Sequence, residues 1–291
     1  MMAKMPRGAG GATMEQGMAL NLSRRSALRG AGRLAAGMVA VATGVPVGFV
    51  SAAVPPRWWE RIESARAAVG TATPIERGIG LDLPLLSEDG SNVPLTVTVD
   101  SPMSEVNFVR DIHLFAIRNP TPEIAVLRLR PVLGRATIAT RLRLGETQTV
   151  GAIARMSSGE IRVAGREVQV TTSGCFIRAD AVTTDEMTPR IRVPTRFSAN
   201  TPAEIVTQIA HPMETGLRPD ATGNLLPQRI VTTFAAMLDG QPVLEVELFR
   251  SVAANPYFRF FLAPRQAGRL AFAWTEDSGR RATANADVAL G

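Results

Sequence analysis

Apolar and polar residues alternate with a period of two over much of the chain, the pattern of half-buried β-strands. In the first half the alternating runs are LTVTV (95–99), DIHLFAI (111–117), AVLRLR (125–130) and EVQVT (167–171). Turn-forming residues stand between them, namely Glu88-Asp89-Gly90, Asn119-Pro120-Thr121-Pro122, Ser158-Gly159 and Gly165. Short strands at this spacing predict an antiparallel β-sandwich.

The second half repeats this type of pattern without repeating the sequence. Its strand candidates are RIRVPTRF (190–197), EIVTQIA (204–210), RLAFAWT (269–275) and residues 282–288. Asp239-Gly240 divides the run TTFAAMLDGQPVLEVELF (232–249) into two alternating stretches, which is a strong hairpin signal. We therefore expect a second small β-sandwich without a helix.

One helix is predicted ahead of the first sandwich. Residues 55–70, PPRWWERIESARAAVG, place apolar side chains three to four positions apart, and Gly70 is a suitable helix end. We expect Trp58 and Trp59 to pack this helix onto the sandwich. Residues 176–188, FIRADAVTTDEMT, are polar on the whole and precede Pro189, which is typical of a linker. The predicted domains are 54–175 and 189–291.

The N-terminal residues 1–53 resemble an export signal. The sequence SRRSALR (23–29) places Arg24 and Arg25 ahead of an apolar stretch, and Ser51-Ala52-Ala53 is a small-residue cleavage site. The paired arginines indicate the twin-arginine (Tat) route. A membrane anchor is the alternative, but a run of about 17 apolar residues interrupted by Gly and Pro is marginal for spanning a bilayer. We expect cleavage near Ala53 and no stable membrane anchor.

Charge and scarce residues exclude several functions. The chain has 32 basic and 26 acidic residues, but six of the basic ones and one acid lie in residues 1–53, so the rest is nearly neutral. Nucleic-acid binding requires an excess of positive charge, which residues 54–291 lack, so this class of function is set aside. Two histidines and one cysteine cannot form a closed zinc site. The motifs HExxH, GxSxG, GxxxxGK[ST] and GxGxxG are absent, so neither a metal nor an organic cofactor is expected.

Cys175 is the residue that the chemistry singles out. As the single cysteine of an exported chain it cannot form an internal disulfide, so it is either a buried inert side chain or a free thiol. It follows an alternating strand and small residues, Ser173 and Gly174, which favour an accessible arm. Phe176 either pins this arm to an apolar surface or is recognised by a partner. Arg178 and Asp180 oppose each other, so no strong activation of the thiol is expected.

The other polar residues have ordinary structural interpretations. His113 is expected to be a strand residue with a satisfied ring, and His211 to position a turn. The asparagines that precede prolines, Asn119 and Asn255, are expected to form turns. Four acids lie in predicted loops with no calcium-binding spacing: Glu88, Asp89, Glu214 and Asp220.

Two sets of motifs resemble known families. The second half resembles SoxZ through RIRVP (190–194), HPMETG (211–216), FAAMLDGQPV (234–243), ANPYFRFF (254–261) and FAWTEDSG (272–279). The first half resembles SoxY through IGLDLPLLSEDGSNVPLTVTVDSPM (79–103), RNPTPEIA (118–125), ATRLRLGETQTVGAIARMSSGE (139–160) and VQVTTSGC (168–175). The order is that of fused SoxYZ carriers associated with quinoprotein dehydrogenases.

This resemblance implies an all-β fold of two immunoglobulin-like sandwiches packed on each other, a periplasmic location and a carrier cysteine at Cys175. The family pattern GGCGG reads Ser173-Gly174-Cys175-Phe176 here, and the chain continues into a second domain, so a stiffer arm is expected. The implied partners are a haem oxidoreductase that conjugates a sulfur compound to the thiol and a hydrolase that releases sulfate, or a quinoprotein dehydrogenase.

Three functions follow. The first is a non-enzymatic covalent carrier of sulfur-containing intermediates. The second is an adaptor or chaperone for a periplasmic quinoprotein dehydrogenase, in which the thiol is incidental. The third is a thiol-dependent enzyme, which is disfavoured because no base lies near Cys175 in the sequence. We expect the carrier.

Overall fold

The computed structural model describes residues 57–172 and 186–291. All of them belong to one unit, Val50–Gly291. The predicted signal peptide, residues 1–53, lies outside the described residues. Within the described ranges no helix has the length and apolar character needed to cross a membrane.

The predicted N-terminal helix is present in two pieces. Trp58–Arg61 forms a 3-10 turn and Glu63–Val69 forms the α-helix α1. Ile62 separates them because its backbone is extended, with φ −121° and ψ 123°. The helix ends at Gly70, whose φ of 64° is favourable for glycine. The expected packing role of the two tryptophans is confirmed, since both are buried.

The first half contributes eight strands. The predicted runs coincide with four of them, β3, β4, β5 and β8. Gly165 is not the predicted turn: it lies inside β8 opposite Gly151 of β7. The strands are β1 (Ile79–Asp82), β2 (Leu86–Asp89), β3 (Val93–Val99), β4 (Val109–Ala116), β5 (Glu123–Leu129), β6 (Thr137–Leu142), β7 (Gln148–Met156) and β8 (Ile161–Thr172).

The second half contributes seven strands, and none of its described residues is helical. The predicted hairpin is confirmed: Asp239 and Gly240 link two strands with φ values of 49° and 79°, as a two-residue hairpin turn requires. The predicted strand 190–197 is shorter than expected. The strands are β9 (Pro189–Arg192), β10 (Ala203–Ile209), β11 (Val231–Leu238), β12 (Gln241–Leu248), β13 (Tyr257–Leu262), β14 (Gly268–Glu276) and β15 (Arg281–Val288).

The strands form two sheets, and both sheets contain strands from both halves. One sheet has the order β1-β3-β6-β13-β10-β9, and the other has the order β15-β14-β11-β12-β5-β4-β7-β8-β2. In the larger sheet β12 of the second half pairs with β5 of the first over five residues, from Leu244 opposite Leu129 to Leu248 opposite Ala125. In the smaller sheet β6 meets β13 through Ala139 and Arg259. The all-β prediction is confirmed, and strands of the two halves form continuous sheets.

A single hydrophobic core runs between the sheets and through both halves. Its second-half part is rich in aromatic rings. The Phe234 ring lies 5.0 Å from Phe258 and 5.1 Å from Trp274, centroid to centroid. Burial of apolar area stabilises such a core by about 25 cal/mol per Å². Because the core is shared, each half completes the other.

A smaller core lies on the outer face of the nine-stranded sheet, where α1 covers β4 and β7. The Trp58 ring packs so closely over Gly151 that a Cβ there would lie 2.4 Å from the ring. Phe115 and Ile153 complete the contact. As a result β7 is buried on both faces.

Candidate functional site

The predicted attachment site, Cys175 with Ser173, Gly174 and Phe176, lies outside the described residues. The described chain stops at Thr172 before this segment and resumes at Glu186. The structure describes the contacts on either side of this segment, near Thr172 and near Thr188.

The strand that leads to Cys175 is held on both sides up to its last residues. On the β7 side, the Val170 N–H donates to Thr147 Oγ1 at 2.9 Å, and the same hydroxyl donates to the Val170 carbonyl at 3.4 Å. On the β2 side, the Thr171 hydroxyl donates to the Glu88 carbonyl at 3.1 Å. The chain therefore leaves the sheet from a fixed point.

Strand β2 is the edge of the nine-stranded sheet and pairs in parallel with β8, with Asp89 opposite Thr172. Glu88 and Asp89 were predicted to lie in a turn, but they belong to this strand, and the turn begins at Gly90. Only glycine fits there, since a Cβ at Gly90 would lie 2.1 Å from the Leu144 carbonyl oxygen. The Leu144 N–H also donates to the Gly90 carbonyl at 2.8 Å, so the end of β2 is held against the loop between β6 and β7.

After the undescribed segment the chain enters the other sheet. The Thr188 carbonyl accepts the Ala210 N–H at 3.0 Å, and β9 starts at Pro189 on the edge of the six-stranded sheet. Residues 173–185 thus connect the larger sheet with the smaller one.

His113 has the satisfied ring that its strand position predicts. Its Nε2 lies 2.9 Å from Asp111 Oδ1, on the outer face of β4. Arg155 binds the same carboxylate through two bonds of 2.5 and 2.9 Å. Burial raises the pKa of Asp111, but the hydrogen bonds from His113 and Arg155 outweigh it and hold the pKa well below its usual range.

His211 positions the HPMETG turn, as expected, and does so from the interior. Its Nδ1 accepts the Met213 N–H at 3.0 Å, so Nε2 carries the proton and donates to Glu276 Oε1 at 2.9 Å. The Asn255 side chain accepts the His211 N–H at 3.0 Å. The structure thus joins the HPMETG, ANPY and TEDSG motifs.

This histidine and its partner are a buried ionisable pair. Burial lowers the pKa of His211, and the hydrogen bond to Glu276, which raises it, does not offset the loss of hydration. Burial raises the pKa of Glu276, but hydrogen bonds from Ser278 and His211 outweigh it, so the pKa is lowered. The native pair therefore consists of a neutral imidazole and a carboxylate.

The residue that ties this turn to the first half was not predicted from the sequence. Arg143 is buried, and its guanidinium donates to the carbonyls of Met213 at 2.7 Å and Pro212 at 3.2 Å. Its own carbonyl accepts from the Asn119 side chain at 2.8 Å. An arginine inside the motif ATRLRLG was the available signal, but its partners lie about seventy residues away, and the sequence does not reveal them.

Asn119 does more than form the predicted turn. Its amide nitrogen also donates to Ser251 Oγ at 2.9 Å, and its oxygen accepts from the Gly145 N–H and from Gln148 Nε2. Both N–H donors and both acceptor positions of the Asn119 side chain are therefore used inside the protein. Asn119 and Arg143 therefore form a buried polar network across the seam between the halves.

The remaining acids do not assemble a metal site. Glu214 binds Arg218, with 2.6 Å between carboxylate oxygen and guanidinium nitrogen. Asp220 accepts hydrogen bonds from Thr222 and Asn224 in its own loop, which lower its pKa. Among the described residues no three ligand-type side chains cluster as a metal would need.

Two family models of known proteins match the chain. The model of "Sulfur oxidation protein SoxY" matches residues 65–175, and that of "Sulphur oxidation protein SoxZ" matches residues 191–287. No curated protein matches the chain significantly.

Solved structures resemble parts of the chain. The sulfur carrier protein SoxY from Chlorobium limicola f thiosulfatophilum is 26% identical, with 39% of this chain and 98% of that one covered and a TM-score of 0.33. A superoxide reductase (neelaredoxin) from Ignicoccus hospitalis is 14% identical, with coverages of 32% and 80% and a TM-score of 0.29.

Proposed function

The chain belongs to the SoxY and SoxZ families of sulfur oxidation proteins, as a SoxY domain fused to a SoxZ domain, and from this premise we propose that it carries a sulfur-containing group on Cys175. The observation that carries the proposal is that the SoxY match ends at residue 175, which is the single cysteine of the chain. Thiolate sulfur readily forms bonds to other sulfur atoms.

The cycle that we propose has two steps, both catalysed by partner enzymes. First, the Cys175 thiol and thiosulfate form a sulfur–sulfur bond, giving Cys175–S–S–SO₃⁻ with release of one proton. The two electrons pass to a haem oxidoreductase. A hydrolase then adds water to the terminal sulfur, which releases sulfate and two protons and leaves a persulfide anion on Cys175.

The fixed end of β8 supports this role. A carrier must present its cargo repeatedly to different enzymes, and the bonds from Thr147 and Thr171 give the arm a constant point of origin. The arm then needs only to reach from that point, since partner enzymes supply the catalysis. The association with a quinoprotein dehydrogenase stays a prediction.

We also propose a periplasmic location, reached through the paired arginines Arg24 and Arg25. Replacing both with lysine should retain the precursor in the cytoplasm, because the export receptor recognises the arginine pair. Fractionation and immunoblotting measure the distribution. Equal export of the variant would contradict the Tat route and leave the carrier role intact.

Intact-mass analysis tests the carrier role. Reduced protein is incubated with thiosulfate and a periplasmic extract of the source organism. We expect an adduct on the wild type and none on Cys175→Ser, while a serine substitution at the exposed Leu225 should leave the adduct unchanged. A wild-type protein that keeps its original mass would contradict the proposal.

A further inference from the structure

Two adjacent leucines stand out on the surface. Four large apolar side chains in the described ranges are strongly exposed, Val106, Leu225, Leu85 and Leu86. Leu85 and Leu86 are consecutive, with 72% and 52% of their surface exposed. A single exposed apolar residue is common on protein surfaces. Two adjacent ones form a larger apolar patch, and a partner that covers the patch buries more apolar area.

These leucines lie at a sheet edge. Leu86 begins β2, the terminal strand of the nine-stranded sheet, and no described strand pairs with its second edge. Edge strands in stable proteins are usually protected by charge, brevity or a covering element. β2 is short and carries charge at Glu88, but Leu86 on it is still exposed, so none of the described elements covers the apolar surface at this edge.

The edge is also next to the strand that carries the thiol. The Leu85 carbonyl accepts the Gln169 N–H of β8 at 2.9 Å, and Asp89 stands opposite Thr172. Cys175 follows Thr172 by three residues, a chain length of at most about 10 Å. A protein that acts on Cys175 therefore comes within reach of this edge.

The charges beside the leucines indicate the kind of partner. Asp82 and Glu88 are exposed and lie on either side of Leu85 and Leu86. The nearby Arg166 reaches inward to the Leu81 carbonyl at 3.1 Å. A second copy of this chain would bring carboxylates against carboxylates, which is unfavourable, whereas lysine and arginine around an apolar patch would be complementary.

We propose that the leucine edge, defined as Leu85, Leu86 and the carboxylates of Asp82 and Glu88, is the docking surface for the enzyme that loads Cys175. That enzyme presents an apolar patch bordered by lysine or arginine. This inference rests on the proposed carrier function. A small contact of this kind suits a carrier, because loaded carrier must also dissociate.

The test measures the rate at which the full mature chain acquires the adduct from thiosulfate in periplasmic extract. Leu85→Ser with Leu86→Ser should slow loading roughly tenfold, because the apolar contact is lost. Leu225→Ser, equally exposed but in the second half, should load at the wild-type rate. Wild-type loading should fall as salt is raised, as electrostatic association requires.

Two further measurements separate the outcomes. A small aromatic disulfide reagent should modify Cys175 at the same rate in all three proteins, which shows an intact thiol. Equal loading of the double variant and the wild type would overturn the docking surface alone. An unloaded wild type with a reactive thiol would overturn the carrier role and the surface with it. If size-exclusion chromatography shows a wild-type dimer and a monomeric double variant, the edge binds a second copy of the chain instead of an enzyme.

Discussion

Each half contains one histidine–carboxylate pair, and the two pairs have the same separation of 2.9 Å. His211 and Glu276 of the second half have side chains that are 2% and 1% exposed. His113 and Asp111 of the first half are 16% and 5% exposed, on the outer face of the sheet. The contact is the same, but the surroundings differ.

The difference shows which pair supports the architecture. Both ring nitrogens of His211 are used inside the fold, and the turn that it organises is bound by Arg143 from the other half. His113 belongs to a local surface cluster in which Arg155 and Arg110 also bind Asp111. Buried polar groups are costly to leave unpaired, but Asp111 keeps its bonds to Arg155 and Arg110 when His113 is lost. We therefore expect mutations around His211 to be much more damaging.

The largest effect is expected for Arg143→Met. The substitution leaves the Pro212 and Met213 carbonyls without their donor in a buried seam. Because each buried group left unsatisfied costs about 1–3 kcal/mol, the free energy of unfolding should fall by about 2–5 kcal/mol. Urea denaturation followed by circular dichroism measures it.

Arg128→Met is the matched control for Arg143→Met. Arg128 pairs with Glu247 at 3.3 Å, but both side chains are nearly half exposed, at 48% and 45%. A change within about 0.5 kcal/mol is expected there. Equal effects of the two substitutions would show that burial at the seam does not decide the cost.

The two histidines give the direct comparison. His211→Gln should lower the free energy of unfolding by about 2–3 kcal/mol, because glutamine cannot keep both interior hydrogen bonds. His113→Gln should lower it by less than about 1 kcal/mol. Thermal and urea unfolding of the two variants, side by side, measure this difference. A larger loss for His113 would reverse our assignment.

Lowering the pH should also reduce the free energy of unfolding through His211, by less than the substitutions do. Because the folded-state pKa of His211 is lowered from 6.5, its contribution is complete above that pH. As pH falls below 6.5 the unfolded chain takes up the proton first, so stability decreases. Glu276, whose pKa is lowered from 4.5, adds a second loss below that value.

Measuring the free energy of unfolding at a series of pH values between 8 and 4 tests this dependence. The wild type should lose stability in the first step below pH 6.5, and His211→Gln should lack that step. Persistence of the step in His211→Gln would show that His211 does not cause it.

Alternation predicted the strands that have one buried and one exposed face. β3, VPLTVTV, has a burial pattern that alternates residue by residue, and the Asp239-Gly240 hairpin follows from local turn geometry. β7, QTVGAIARM, escaped prediction because the core covers one face and α1 the other, so all but one of its residues are buried and no period of two remains. Such burial depends on a distant helix, which a local pattern does not record.

The all-β class, the helix end at Gly70, the hairpin and the single cysteine on which the proposed chemistry depends could all be predicted from the sequence. The fold was needed to see that the sheets run through both halves, that Arg143 binds the turn after His211, and that the leucine edge lies beside β8. The two groups of features differ in the sequence separation of the residues that interact. Strand alternation and turns depend on neighbours along the chain, whereas sheet order and buried hydrogen bonds join residues that are far apart in it.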